Sequence, residues 1–265
     1  MSSLAAYFWQ GDWHGSYQFL VRNLIAKDFR VRYRNMSLGI FWSLLNPLVM
    51  MGVLWFVFTK IFANNTIKDF PAFVLCGMVP YNFFTIAWVT GTTSILDNTS
   101  LIKRVAVPRA VIPIATVLGN VVHLAIQIGL LLTVVLIAGK RPGPVWLWLI
   151  FVWTFTIIFT CGLSLIFAAL NVYIRDIRYV VESTNVVLFW LVPIFYDTKI
   201  IAPQYREIYQ YNPIAALVLA LRYILLDGVP PPFTLIYKLV LCSVGTLVVG
   251  LFVFRRLQTR FYNYL

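Results

Sequence analysis

Polar side chains with catalytic potential are few in this chain, and none of the acidic ones lies in the middle of an apolar run. The sequence holds two histidines, His14 and His123, and nine acidic residues. The acidic residues all map to the termini or to the ends of apolar runs: Asp12, Asp28, Asp69, Asp97, Asp176, Glu182, Asp197, Glu207 and Asp227. Acid–base and metal chemistry need such groups clustered beside the reacting bond. We therefore expect no catalytic residue and no metal site.

Phosphate-binding and thiol motifs do not supply an alternative chemistry. No G-x-x-x-x-G-K-[S/T] sequence occurs, because Gly139-Lys140 is followed by Arg141 and lacks the upstream glycine. We expect no cofactor in this chain and no ATP hydrolysis by that motif. Three cysteines lie in apolar runs without metal-ligand spacing, which is typical of buried thiols; they are Cys76, Cys161 and Cys242.

One polar stripe does follow an apolar run. Thr116, Asn120, His123 and Gln127 are spaced so that they share one face of a helix. Inside a membrane such a stripe could form a proton relay or contact a substrate. It could equally form hydrogen bonds to neighbouring helices. The same run holds no carboxylate to drive a relay, so we favour interhelical hydrogen bonding.

The composition explains where these residues must lie. Hydrophobic residues make up 61% of the 265 residues and charged residues only 11%, and the mean hydropathy is +0.84. Soluble domains carry roughly 25% charged residues, so the sequence indicates an integral membrane protein. The net charge of +12 lies beside the apolar runs, which favours anionic lipid over nucleic acid. No cleavable signal peptide is visible before the first long run, near Leu38.

Six apolar runs predict membrane spans. They cover roughly residues 38–60, 71–95, 110–138, 145–170, 183–197 with a broken continuation, and 233–254. Residues 198–228 predict a re-entrant or interfacial hairpin whose helix begins at Asn212-Pro213, because Asn suits an N-cap and Pro the first turn. Irregular backbone at membrane depth needs protein or water beside it, so this hairpin is a candidate pore wall or gate.

The predicted fold is an all-α integral membrane protein with six transmembrane helices, an N-terminal amphipathic interface helix and a re-entrant hairpin before the last span. Residues 1–16 form a tail, residues 17–36 the interface helix and residues 37–265 the transmembrane domain. Lys and Arg are more numerous before the first span, in alternate connections and after the last span. This bias predicts that both termini are cytoplasmic.

The interface helix is predicted over residues 17–34. Its apolar face consists of Val21, Leu24, Ile25 and Phe29, and its polar face of Asn23, Lys27, Arg30 and Arg34. Such a helix suits the cytoplasmic headgroup layer, where each basic residue contributes about 1 kcal/mol of attraction to anionic lipid. Asp28 and Arg32, four residues apart, fall within the apolar stripe. A protein-facing role is therefore as well supported as lipid anchoring.

Aromatic residues form 17% of the chain. Many lie near span ends, namely Trp42, Trp55, Tyr81, Trp88, Trp146, Trp148 and Trp190. Interfacial belts of Trp and Tyr account for most of them. The stretches VPYNFF (79–84) and LFWLVPIFY (188–196) instead place aromatics beside prolines. Flat rings there could line a tunnel for sugars, which have apolar C–H faces. For Trp190–Tyr196 both interpretations stay open.

Six sequence blocks occur in a characteristic order. They are KDFRVRYRNMSLGIFWSLLNPLVMM (27–51), GMVPYNFF (77–84), LIKRVAVPRAVIPIA (101–115), LNVYIRDIRYVV (170–181), PIFYD (193–197) and YNPIAALVLALRYILL (211–226). Together they resemble the membrane subunit of ABC-2 type polysaccharide exporters, which include O-antigen, capsule and teichoic acid permeases. The resemblance runs from about residue 17 to the C-terminus. The final FRRLQTRFYNYL lacks an acidic residue expected there, and SLAAYFWQGDWHG (3–15) is not a family feature, which leaves the subfamily open.

The resemblance implies a homodimer of this chain with two copies of a separate ABC nucleotide-binding subunit, which would bind ATP and Mg²⁺. Residues 97–108 would form a coupling helix that docks on this ATPase, and residues 174–182 would add a further contact. The residues implied at the ATPase interface are Asp28, Arg30, Arg32, Arg34, Asp97, Asn98, Leu101, Ile102, Lys103, Arg104, Arg175, Asp176 and Arg178.

The resemblance also implies a substrate path and a gate. The channel residues would be Trp42, Tyr81, Phe84, Trp88, Phe189, Trp190, Phe195 and Tyr196. The extracytoplasmic gate would be the hairpin 198–228, with Asn212, Pro213 and Arg222. The implied function is ATP-driven export of a lipid-linked polysaccharide across the cytoplasmic (inner) membrane of a bacterium. An ABC-2 permease for a small lipid or drug is the alternative, and a membrane enzyme acting on lipid-linked sugars is disfavoured by the missing acids and bases.

Overall fold

The computed structural model describes residues 16–34, 41–61, 67–105, 107–197, 212–261 and 264, and this part of the chain is helical without a strand. The helices are α1 (Tyr17–Tyr33), α2 (Trp42–Phe56), α3 (Phe70–Asp97), α4 (Thr99–Arg104), α5 (Val111–Ile137), α6 (Trp148–Tyr173), α7 (Ile177–Leu191), α8 (Pro213–Arg222) and α9 (Phe233–Gln258). A π turn continues α2 over Val57–Ile61, another continues α8 over Tyr223–Asp227, and a 3₁₀ turn over Pro144–Leu147 precedes α6.

Five helical segments are long and apolar enough to cross a membrane: Trp42–Ile61, Phe70–Arg104, Val111–Ile137, Pro144–Tyr173 and Phe233–Gln258. The fifth predicted span, at 183–197, has no such helix. Helix α7 has 15 residues there and ends at Leu191. At 1.5 Å per residue it is about 22 Å long, less than the roughly 30 Å of hydrocarbon. The helix stops because Val192 is extended (φ −82°, ψ 134°), the conformation favoured before a proline such as Pro193.

Helix α3 forms the centre of the bundle. It packs against α5 and α6 along most of its length, and α2, α7 and α8 contact it at other faces. Three apolar clusters surround it, and its own side chains contribute to each of them. In contrast, α2 exposes most of its surface. The elements at the edge of the bundle are therefore held less firmly than α3.

Helices α6 and α9 touch through their backbones. A Cβ at Gly162 would lie 2.6 Å from the backbone nitrogen of Leu247, and a Cβ at Gly250 would meet the carbonyl oxygen of Gly162. Only glycine permits this approach at either position. The pair therefore fixes how α9 lies along α6.

Polar contacts identify the two ends of the bundle. At one end, Arg109 Nη1 donates to the carbonyl oxygen of Gln258 (2.5 Å) and Tyr173 Oη donates to that of Leu257 (2.7 Å). These bonds satisfy carbonyls at the end of α9 that have no partner within the helix. At the other end, Lys140 and Asp69 form an ion pair with an N–O distance of 3.6 Å.

The chain crosses the bundle once more between α6 and α9. Tyr173 ends α6 beside the end of α9, whereas α9 begins at the opposite end of the bundle. The stretch between them contains α7 and α8, neither of which is long enough to span a membrane alone. Leu20 and Leu24 of α1 pack in one cluster with Phe254 and Phe261. Helix α1 and the end of α9 therefore share one end.

Candidate functional site

A bend between α3 and α4 is bonded to α1. The buried Asn98 lies at this bend, where its Nδ2 donates to the carbonyl oxygen of Ser94 (2.8 Å) and its Oδ1 accepts from Lys27 Nζ (2.5 Å). Leu101 and Ile102 pack against the apolar cluster that holds α1. Asp97, Lys103 and Arg104 are exposed. Helices α1 and α4 therefore form one joined surface at this end.

Helix α1 has the two faces predicted from its sequence. Leu24 is buried, and Val21, Ile25 and Phe29 are half-buried. The polar face, Asn23, Lys27, Arg30 and Arg34, is exposed. Asp28 is half-buried and packs beside Gly119 of α5, whereas the side chain of Arg32 lies outside the described part. Ser16 caps the helix by accepting from the backbone nitrogen of Phe19 (3.4 Å).

An apolar groove of about 810 Å³ runs between α1 and α5. Its walls are apolar side chains of both helices, namely Val21, Ile25, Phe29, Val111, Ile114 and Val122. Arg22 and Arg30 of α1 also line it, and both are exposed. The groove therefore combines apolar walls with the positive charge of two arginines.

The polar stripe of α5 bonds to three other helices. His123 Nδ1 lies 2.9 Å from Tyr33 Oη, which also lies 3.0 Å from Ser43 Oγ. Gln127 Nε2 donates to the carbonyl oxygen of Ser43 (3.2 Å) and lies 3.1 Å from His123 Nε2. Asn120 Nδ2 donates to Thr90 Oγ1 of α3 (3.1 Å). The predicted interhelical hydrogen bonding is confirmed, and it ties α1 and α2 to α5.

The turn between α6 and α7 carries exposed charges. Arg175 and Asp176 are exposed, and Arg178 Nε donates to Glu182 Oε1 (2.8 Å). This hydrogen bond raises the pKa of the Arg178 guanidinium above its usual value. The partner of Arg178 lies one turn further along α7.

Two aromatic residues of α7 and two of the turn after it gather with one residue each from α2 and α3. The ring of Phe189 lies 5.5 Å from that of Tyr81, and Phe195 lies 5.6 Å from Trp190 and 5.4 Å from Phe58 at the end of α2. Tyr196 Oη donates to the carbonyl oxygen of Trp190 (3.1 Å), which helps to close the end of α7. We call these six residues the aromatic cluster: Phe58, Tyr81, Phe189, Trp190, Phe195 and Tyr196.

The other predicted channel residues lie apart from the aromatic cluster. Phe84 and Trp88 are 1% and 4% exposed and pack with Phe159 and Phe167 of α6. They have almost no surface in this structure that a substrate could touch. Trp42 lies at the start of α2 and is half exposed.

The predicted gate residues fix a turn against the core. Asn212 caps α8 by accepting from the backbone nitrogen of Ile214 (3.1 Å), so the predicted start of this helix at Pro213 is confirmed. Arg222 is buried, and its Nη2 donates to the carbonyl oxygen of Ile194 (2.8 Å). The guanidinium carbon of Arg222 lies 3.4 Å from the centre of the Phe73 ring. Residues 198–211 of the predicted hairpin lie outside the described residues.

Sequence reasoning missed several of these contacts. Neither Phe58 nor Tyr33 was singled out, because their partners come from helices distant in sequence. Asn185 was also missed, although a polar residue on the apolar stripe that includes Val181 could have marked it. It is buried, and its backbone oxygen accepts from Tyr81 Oη.

Known proteins resemble this chain along most of its length. The pattern of the ABC-2 type transporter family matches residues 19–226. The chain is 31% identical over 238 residues to O-antigen export system permease protein RfbA of Klebsiella pneumoniae, covering 89% of this chain and 90% of that protein. It is 29% identical to a protein of the same name from Myxococcus xanthus, covering 76% and 78%. It is 25% identical to polysialic acid transport protein KpsM of Escherichia coli, covering 89% and 92%. The chain belongs to the ABC-2 type transporter family.

Proposed function

We propose that this chain is the permease subunit of an ATP-driven exporter that moves a lipid-linked polysaccharide across the cytoplasmic membrane of a bacterium. The similarity to O-antigen export permeases over 89% of the chain carries this proposal. A permease for a small lipid or drug would share the fold, but the relatives named above are polysaccharide transporters. The chain itself transports and does not hydrolyse ATP, which is the task of a separate subunit.

A second copy of this chain would cover α2 and α7. Their exposed faces carry polar groups among apolar ones, such as Asn46 on α2 and Ser183 on α7. In contrast, the exposed residues of α9 from Leu241 to Phe252 are apolar or glycine, as expected for a surface in lipid. Polar side chains at membrane depth face protein or water. We therefore assign the exposed faces of α2 and α7 to the interface between the two copies and to the substrate path that the two copies enclose.

The aromatic cluster would border this path. Trp190 is 63% exposed, and Trp42 is exposed at the other end of α2. Flat rings let an apolar sugar face slide past without a strong hydrogen bond. Because Phe84 and Trp88 are buried within the protomer, we leave them out of the proposed wall. The hairpin that ends in α8 would form the extracytoplasmic gate, with the turn held by Arg222 at its base.

The joined surface of α1 and α4 would meet the ATPase, which binds ATP and Mg²⁺. It exposes Lys103 and Arg104 beside Asp97, and the turn with Arg175 and Asp176 extends it. Because Lys27 bonds to Asn98, a displacement of α4 would be transmitted to α1 and, through Tyr33, to α2. Two ATPase copies would bind the dimer in this way.

The groove between α1 and α5 would hold an acyl chain of an anionic lipid, with the phosphate near Arg22.

Co-purification with the ATPase encoded beside this chain would test the proposal. We expect a stable complex of two permease and two ATPase chains, whose ATP hydrolysis in nanodiscs changes when the lipid-linked polysaccharide of the same cells is added. Stimulation by small amphiphiles without a response to the glycan would favour the drug or lipid exporter. Failure of any ATPase to bind would contradict the proposal.

A further inference from the structure

The interface between α3 and α7, which we call the α3–α7 seam, contains polar groups without partners. Asn185 of α7 is 4% exposed, and within the described residues neither its amide nitrogen nor its amide oxygen has a hydrogen-bond partner. Tyr81 Oη donates to the backbone oxygen of Asn185, which places Asn185 directly against α3.

Such groups are unfavourable in the interior of a membrane protein. Water would satisfy the donors and the acceptor of an amide. Lipid and packed apolar side chains cannot satisfy them. Native proteins satisfy nearly all buried polar groups, so an exception calls for a functional explanation. A leucine of similar size would fit an apolar seam without this penalty. Asn185 is therefore poorly suited to the packed seam that the structure contains.

Helix α7 has few fully buried side chains where it meets α3. They are Val181 and the unsatisfied Asn185, and Ile177, Leu188 and Phe189 are half-buried against the same apolar cluster. The exposed side of α7 carries Val186, Val187 and Trp190. Elements with few buried apolar contacts open at the lowest free-energy cost. The seam can therefore open without disrupting α3 and its partners α5 and α6.

We propose that α7 separates from α3 during transport and that Asn185 then binds a hydroxyl group of the saccharide. This inference rests on the proposed function and adds a defined contact site to it. The Asn185 amide offers a donor and an acceptor, which matches the paired donor and acceptor of a sugar hydroxyl. The rings of Tyr81 and Phe189 lie beside Asn185 and offer flat faces to the sugar C–H groups. The seam is thus a saccharide-binding surface that closes on itself when empty.

The substitution Asn185→Leu separates this proposal from a structural role. We expect unchanged or higher thermal stability of the permease–ATPase complex, because an unsatisfied amide is removed. We expect at least a fivefold lower rate of polysaccharide export in cells and a matching loss of glycan response in ATP hydrolysis. Wild-type export in this variant would overturn the proposal, and so would a lower thermal stability, since that would reveal partners for the amide in the closed seam.

Asn171→Leu is the matched control. Asn171 is equally buried, but its Nδ2 donates to the carbonyl oxygen of Thr92 (3.2 Å) between α6 and α3. This variant should lose stability and keep its export per folded complex. If the wild-type complex exports no polysaccharide, the proposed function itself is contradicted. A defect confined to Asn185→Leu has a different pattern, because the wild-type complex then still exports.

Labelling supplies a second readout that does not depend on export. In a chain whose Cys76, Cys161 and Cys242 are replaced by serine, Asn185→Cys should react with a water-soluble maleimide during ATP turnover and not without nucleotide. Equal protection in both conditions would overturn the opening of the α3–α7 seam. Equal reactivity in both would overturn its closure.

Discussion

Arg222 shows how a single residue can hold a turn against the core. Its guanidinium binds the carbonyl oxygen of Ile194 and stacks on Phe73, so one side chain joins α8, the turn after α7 and α3. The turn itself lies against Gly77, where a Cβ would be 2.9 Å from the Cα of Ile194. Arginine suits this site because its planar fork can donate in one direction and stack in another.

Arg222→Lys should therefore weaken the turn although it keeps the charge. An ammonium cannot stack on Phe73 while bonding to Ile194, so we expect a loss of about 1.5–3 kcal/mol in the free energy of unfolding. Thermal unfolding in nanodiscs would measure the loss. Arg256→Lys is the control, because Arg256 also lies over a phenylalanine, Phe252 at 5.4 Å, but is exposed. Equal stability of both variants would contradict this account of Arg222.

The hydrogen bonds of His123 lead to a different prediction. His123→Leu leaves Tyr33 and Gln127 each with one bond fewer, and interhelical bonds of this kind contribute about 1 kcal/mol. We expect lower thermal stability with unchanged export per folded complex. Loss of export at full stability would instead indicate a proton relay. Tyr33→Phe provides a comparison, because it removes the same bond from the side of α1.

At the scale of helices, the backbone contact between α6 and α9 sets a strict limit on side-chain size. Gly250→Ala should separate the two helices, because the new methyl group meets the carbonyl oxygen of Gly162. Overpacking of this kind costs about 1–3 kcal/mol. Gly245→Ala on the same helix has open space around its Cβ and should be neutral or slightly stabilising. Thermal stability and the yield of folded protein would distinguish the two variants.

The elements that sequence patterns predicted are those with local causes. Helix α1 was expected over 17–34 and α8 from Pro213, because periodicity and caps are encoded within a few residues. Five of the six expected spans correspond to long apolar helices. The fifth span differed because a hydropathy window cannot register that Pro193 ends α7 early. The contacts of the aromatic cluster and the unsatisfied amide of Asn185 depend on which helices meet, and no local pattern specifies that.

For the whole molecule, the bonds at the two ends make the orientation testable. The end with Arg109, Tyr173 and the last turn of α9 should be cytoplasmic, and the end with Lys140 and Asp69 extracytoplasmic. In a cysteine-free chain, Lys140→Cys should react with a membrane-impermeant maleimide added to intact spheroplasts. Arg256→Cys should react only after the membrane is permeabilised. The reverse result would place both termini outside and contradict the assigned direction of export.

The glycine contact between α6 and α9 also has a consequence for biosynthesis. Its two halves are separated by α7 and α8, so α9 leaves the ribosome well after α6. Until α9 is inserted, α6 presents the bare backbone around Gly162 to its surroundings. This close backbone contact is therefore completed only after α7 and α8 have been translated. A chain truncated before α9 would expose that surface, which makes it a suitable signal for membrane quality control to recognise unfinished copies.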